Sequence, residues 1–196
     1  MTARHLSQAI SEGDGISLIV PATDLASVRI AEEQGAEGVV LERDVPGVRE
    51  ATGLPIIWRG DASPAEVIAL GADACVLSAD ALEDDEDRVE RRYTEALDLG
   101  LECVVEARDA DELQLALERL DPEILLLSPR GREDGDDPLE RVLDLLPDIP
   151  AGKLAVADLD VTSRHEITEL ERAGVDAVIL GTHEVADLVG APPPDV

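Results

Sequence analysis

The run LECVVE at residues 101–106 ends an apolar stretch on a carboxylate, Glu106. Burying a carboxylate without a partner is costly, so Glu106 needs a cation or a polar opening beside it. Other apolar runs end in a similar way. Val20-Pro21, Glu42, Trp58-Arg59, Ser78 with Asp80, Ser128 with Arg130, Asp158 and Thr182-His183 all follow strand-forming residues. If these ends converge, Arg59 or Arg130 can pair with Glu106. The constellation is then either a site for binding and proton transfer or a ring of ion pairs that caps a core. A third reading is metal-assisted chemistry, because Glu42, Asp80, Glu106, Asp158 and His183 offer oxygen and imidazole donors. Their separation in the chain gives no ligand-spacing signature, and the expectation is no metal and no cofactor.

The elements that must position these residues are legible as eight apolar runs. They are ISLIV (16–20), GVVLE (38–42), PIIWR (55–59), ACVLS (74–78), LECVVE (101–106), ILLLS (124–128), KLAVA (153–157) and AVILG (177–181). Each is nearly continuous in apolar residues, as strands buried on both faces are. Helical periodicity fills segments between them, such as 109–120 and 162–174. In the second, Ser163 suits an N-cap and Gly174 a C-cap. GAEGVVL (35–41), GADACVL (71–77) and GVDAVIL (174–180) repeat a helix-ending glycine, a small residue, an acid and a strand. One βα unit is therefore used several times.

Eight strands alternating with helices predict an α/β fold, a compact single-domain (β/α)8 TIM barrel over residues 1–196. An N-terminal helix falls within 1–14, and GAPPPDV (190–196) reads as an extended tail. A doubly wound open sheet would use fewer strands at this length. At 196 residues the barrel must have short loops. Function in such a barrel sits at the C-terminal strand ends, where the polar groups above would share one mouth.

Asp and Glu number 45 against 16 Lys and Arg, a formal net charge of −29. Lys153 is the sole lysine and phenylalanine is absent. Acids spread over helix faces repel one another in dilute buffer and are tolerated where salt screens them, since the Debye length falls to about 3 Å at 1 M. The expectation is a salt-adapted cytoplasmic protein, a pattern that resembles haloarchaeal proteins. The same charge argues against a nucleic-acid partner, which needs clustered Lys and Arg. No run approaches the ~18–20 apolar residues of a membrane span, and MTARHLSQAISEGDG has no apolar core of a secretory signal. Cys75 and Cys103 lie in apolar runs and read as packed, reduced thiols.

LECVVEARDADELQLALE, followed by KLAVADLDVTSRHEITELERAGVDAVILGTHEV, resembles the second half of indole-3-glycerol-phosphate synthase. That family reads roughly LVEVH, an acidic helix, NNRDL, SESGI and GVDAVLVGESLM. LPIIWRGDASPAEVIALGADACVLSADAL is similar to its LPVLRKDF segment followed by GADAVLLI. The resemblance covers most of residues 54–188. It implies a decarboxylative ring closure of a phosphorylated, anthranilate-derived sugar in tryptophan biosynthesis. It also implies roles: Glu106, Arg59 and Asp158 as catalytic residues, and Arg130, Ser128, Gly181, Thr182 and His183 as substrate-binding residues.

The match has substitutions where the chemistry lies. Glu106 and Arg130 are kept, and Ser128 replaces an asparagine. Arg59 stands where the family has its catalytic lysine, and arginine stays charged where lysine can donate a proton. Asp158 replaces a longer glutamate. VPATD replaces a lysine-bearing stretch after strand 1. Asp160 replaces a glycine of the phosphate site, although Gly181 and Thr182 survive. Three readings follow: a lyase with a reworked site, a non-catalytic or regulatory relative, and another small-molecule enzyme on the same barrel.

Other residues read as ordinary structure. His5 and His165 fall on polar surfaces. Trp58 points away from Arg59 and packs beneath the helices if Arg59 faces inward. EDDEDRVERR (83–92) reads as a solvated helix start and GREDGDDP (131–138) as a connector over the mouth.

Overall fold

The structure, a computed structural model, describes residues 5–13, 15–128, 137–181 and 185–188, with the backbone alone for Glu83, Asp84, Ala186 and Asp187. The first half of the chain forms α1 (Leu6–Ser11), β1 (Ser17–Ala22), α2 (Leu25–Glu33), β2 (Gly38–Leu41), α3 (Val48–Ala51), β3 (Ile56–Trp58), α4 (Pro64–Ala69), β4 (Ala74–Ser78) and α5 (Ala81–Asp98). The second half forms β5 (Glu102–Ala107), α6 (Ala110–Arg119), β6 (Ile124–Leu127), α7 (Pro138–Leu145), β7 (Leu154–Leu159), α8 (Arg164–Ala173), β8 (Ala177–Leu180) and α9 (Val185–Leu188). The eight strands are parallel and close into a barrel in sequence order, β8 pairing with β1. The expected (β/α)8 fold is the observed one. Part of the expected N-terminal helix is seen as α1; the tail 190–196 lies outside the described residues.

Two apolar layers hold the barrel. Inward-facing Ile19, Val40, Ile57, Val104, Leu126 and Ile179 fill the lumen. Outward-facing residues such as Val39, Ile56, Cys75, Val105 and Leu125 pack against the helices. Trp58 belongs to this outer set, as its parity requires. Cys75 and Cys103 are register partners across β4 and β5, both buried and free. The hydrogen bond with Cys75, together with burial, pushes the Cys103 thiol up. Neither sulfur should therefore react with an aromatic disulfide reagent in the folded protein, and both should react after denaturation. Rapid reaction in the folded state would show that β4 and β5 part readily.

The repeated motif has a structural explanation. Its glycines Gly35, Gly71 and Gly174 end helices at φ +87°, +83° and +99°, where a side chain is strained. Its acids tie strands together at the N-terminal end of the barrel. Asp73 Oδ2 accepts from the Ile56 N–H at 2.8 Å and from Arg49 Nη1 at 2.7 Å. Asp176 Oδ2 accepts from the Ala155 N–H at 2.8 Å. Ser163 and Asp109 cap α8 and α6, each accepting from the N–H three residues on.

One part of the architecture was not evident in the chain's pattern. α1 plugs the lower end of the barrel: Leu6 and Ile10 enter the lumen cluster, and the Glu102 carboxylate accepts the N–H groups of Leu6 and Ser7. His5, just before α1, remains exposed with Nδ1 at 3.8 Å from Glu102. His165 is exposed on α8.

Candidate functional site

Strand parity sets the floor of the mouth. Ile57, Val104 and Val156 point inward, so the residues two further along, Arg59, Glu106 and Asp158, point inward as well. Alternate strands supply each layer of side chains in such a barrel, and these three come from the ends of β3, β5 and β7. They meet at a single nitrogen. Arg59 Nη2 lies 2.9 Å from Glu106 Oε1 and 2.7 Å from Asp158 Oδ2. The Glu106 and Arg59 side chains are each 19% exposed, whereas that of Asp158 is wholly enclosed.

Burial opposes the charge on Arg59. The carboxylates of Asp158, Glu106 and Glu42 outweigh that penalty and hold the guanidinium above its ordinary value. Arg59 is thus a fixed cation that stabilises negative charge and does not donate its proton. Ser128 is buried at the end of β6, its N–H bonded to the Ala107 carbonyl at 3.1 Å. Gly181 is half-buried at the end of β8. Arg130, Thr182 and His183 lie outside the described residues, as does most of the 131–138 segment; its last two residues start α7, with Asp137 accepting from the Leu139 N–H at 3.0 Å.

Asp80 turns away to Arg108, which also holds Glu112 at 3.0 Å. A hydrogen bond from Ser78 lowers the Asp80 carboxyl, against a smaller effect of burial and with help from Arg108. Among the described residues no three of His, Cys, Asp and Glu converge on a point that could hold a metal ion.

The charged trio separates two cavities. One, of about 270 Å³, lies on the β3–β4 side and is lined by Arg59, Gly60, Ser78, Arg88, Arg92 and Glu106. The other, of about 190 Å³, lies on the β7 side, between Asp158, Asp160 and Val161 and the starts of α7 and α8. Asp137 and Glu166 add their carboxylates to it. The segment 83–92 lies at the start of α5, with Asp85, Asp87, Arg88 and Arg91 exposed, as a solvated helix start should be. α5 breaks at Asp85 (φ −154°, ψ 75°), and its second part brings Arg88 and Arg92 to the mouth. Arg92 donates to the carbonyls of Gly60 and Ala62 and pairs with Asp61 at 3.2 Å. The available signal was the spacing of arginines at 88, 91 and 92 in an acidic segment, one helical face.

The sequence profile described as Indole-3-glycerol phosphate synthase matches residues 63–187. A protein of that name from Geobacillus sp. (strain WCH70) is 27% identical over 171 residues. The alignment covers 80% of this chain and 66% of that relative, so the chain spans just under two thirds of its length. Among solved structures, a thiamine phosphate pyrophosphorylase from Pyrococcus furiosus superposes with a TM-score of 0.66 at 17% identity, covering 88% of this chain and 93% of that one. An N-acetylmannosamine-6-phosphate 2-epimerase from Clostridium perfringens gives 0.72 at 14%, covering 92% and 90%. At such identities these two show the shared fold alone.

Proposed function

The chain belongs to the indole-3-glycerol phosphate synthase family, and on that premise we propose that it is a carboxy-lyase acting on a carboxyphenylamino-deoxyribulose phosphate, in the tryptophan pathway of a salt-rich cytoplasm. The observation that carries this reading is the Arg59 guanidinium, where the family has lysine, gripped by Glu106 and Asp158 at the mouth.

In the proposed reaction, the ring carbon that bears the carboxylate attacks the ketone carbon, forming the new carbon–carbon bond. The carboxylate leaves as carbon dioxide and returns its electron pair to the ring. The former ketone oxygen takes two protons from solvent and leaves as water, while a base takes a proton from the adjacent methylene and returns it to solvent. Arg59 stabilises negative charge on the ketone oxygen in the first step. Proton transfer falls to Glu106, which borders the β3–β4 cavity. Asp158, fully enclosed, is a positioning residue that aims Arg59. Ser128 and Gly181 border the substrate, and Arg130, Thr182 and His183 are assigned to it from the family pattern.

The test is formation of indole-glycerol phosphate in molar KCl. Glu106→Gln should lower kcat by about 10²–10⁴, with the unfolding midpoint retained as evidence of folding. A folded wild-type protein that forms no product would overturn the proposal and make the chain a non-catalytic relative.

A further inference from the structure

Three outward-facing side chains form a row across the wall of the barrel. Trp58 on β3 is the register partner of Cys75 on β4, and Cys75 is the register partner of Cys103 on β5. All three are buried between the sheet and the helices. They lie on the opposite face of the strands from Arg59 and Glu106, so the proposed reaction does not use them. Neighbouring strands lie about 4.8 Å apart, and a disulfide joins Cα atoms about 4.4–6.8 Å apart. Register partners on one face of the sheet fall inside that range.

The two thiols are not equivalent. A hydrogen bond with Cys103 lowers the Cys75 thiol, burial opposes it, and the charge of Arg92 adds to the lowering. Cys103 is pushed up, and its sulfur also lies 3.9 Å from the Tyr93 carbonyl oxygen. When one proton leaves the pair it leaves Cys75, and Cys103 stays a thiol beside it. Arg92 ties the pair to the surface. It is a partly exposed residue of α5 that borders the β3–β4 cavity and donates to the Gly60 and Ala62 carbonyls. Its Nε is buried and, among the described residues, has no acceptor. The residue whose charge reaches Cys75 thus keeps one donor unused.

We propose that Cys75 and Cys103 are a peroxide-reactive dithiol, with Cys75 as the attacking sulfur and Cys103 as the resolving one. The Cys75 thiolate attacks one oxygen of a hydroperoxide. The O–O bond breaks, the other oxygen leaves as hydroxide or alkoxide and takes up a proton, and Cys75 becomes a sulfenic acid. The Cys103 thiol then attacks the Cys75 sulfur, forming the S–S bond and expelling water. The two thiols together lose two electrons and two protons, and the hydroperoxide is reduced to water and an alcohol, or to two waters. Enclosure selects the oxidant: hydrogen peroxide is little larger than water, whereas an aromatic disulfide is excluded. The site does not depend on the lyase reading.

The test treats the folded wild type with hydrogen peroxide in molar KCl, then blocks free thiols with iodoacetamide in urea and maps the peptides by mass. Cys75 and Cys103 should be joined within one chain, and dithiothreitol should return both thiols. Trp58 is the sole tryptophan and neighbours Cys75, so its emission should fall as the disulfide, a quencher, forms and recover on reduction. In Cys103→Ser, Cys75 should hold a sulfenic acid that dimedone traps. In Cys75→Ser, Cys103 should stay a thiol. Urea midpoints verify that both variants are folded. The proposal is overturned if both thiols survive peroxide in the folded wild type and oxidise only in urea, which is the behaviour of inert core sulfur. It is also overturned if the bridge joins two chains, or if Cys103 is the sulfur that dimedone labels.

Discussion

Replacing Arg59 with methionine should remove about 3–5 kcal/mol of folding stability, because it takes away the guanidinium that pairs with the enclosed Asp158 carboxylate. The methionine keeps most of the stem volume, so the loss reports charge and not a cavity. Adding Asp158→Asn should recover most of the loss, since the double variant no longer buries a carboxylate charge. Arg59→Lys should cost much less. A single nitrogen, Nη2, meets both carboxylates, and an ammonium can occupy that point even though it cannot fork. Urea unfolding of the four proteins in molar KCl closes the cycle. A loss below about 1 kcal/mol in Arg59→Met would be the value of a solvated surface pair. It would mean that water reaches Asp158 and that the floor of the mouth is not sealed.

The fold was legible because β strands buried on two faces leave a simple trace. GVVLE, ACVLS and ILLLS are apolar throughout, and the corresponding strands lie within a residue of those runs at Gly38–Leu41, Ala74–Ser78 and Ile124–Leu127. The trio at the mouth follows from the same trace. Once the strands are in a barrel, parity alone sends Arg59, Glu106 and Asp158 inward. Arg59 pairs with Glu106 at 2.9 Å, and as one of two candidate partners, Arg130 being the other, it was legible for that reason. That Asp158 would join through the same nitrogen was not, because it depends on how far the strands shear past one another.

Other features escaped because their signal is three-dimensional. Glu102 is the first residue of β5, and the run LECVVE itself offers its carboxylate no partner. It instead receives two N–H groups from a helix 95 and 96 residues earlier. Arg88 and Arg92 sat in a segment whose acids dominate the reading. The helix breaks at Asp85, and Arg88 and Arg92 beyond the break border the β3–β4 cavity. The acids of the repeated motif read only as part of a βα unit, and their work shows in the structure, where Asp73 and Asp176 hold backbone N–H groups at the opposite end of the barrel.

The plug at that opposite end carries the second large effect. Leu6 is fully buried within the lumen cluster, below Ile19, Ile57 and Val104. Leu6→Ala should cost about 2–5 kcal/mol, the range for a buried leucine whose surroundings cannot collapse around the void. A barrel floor built from eight paired strands has little freedom to close. Glu102→Gln should cost less, about 1–3 kcal/mol, because the amide still accepts a hydrogen bond but loses the charge beside two helix N–H groups. The double variant distinguishes two ways of failing. If α1 stays seated in Leu6→Ala, the two losses add. If α1 leaves the barrel, Glu102 has already lost its partners, and the second substitution costs almost nothing further. Hydrogen exchange of the α1 amides reads the same distinction directly. In either case turnover at the mouth should survive in the folded fraction, because the plug touches none of Arg59, Glu106 or Asp158. Loss of turnover at unchanged stability would instead tie the floor of the lumen to the mouth through the stacked inward layers between them.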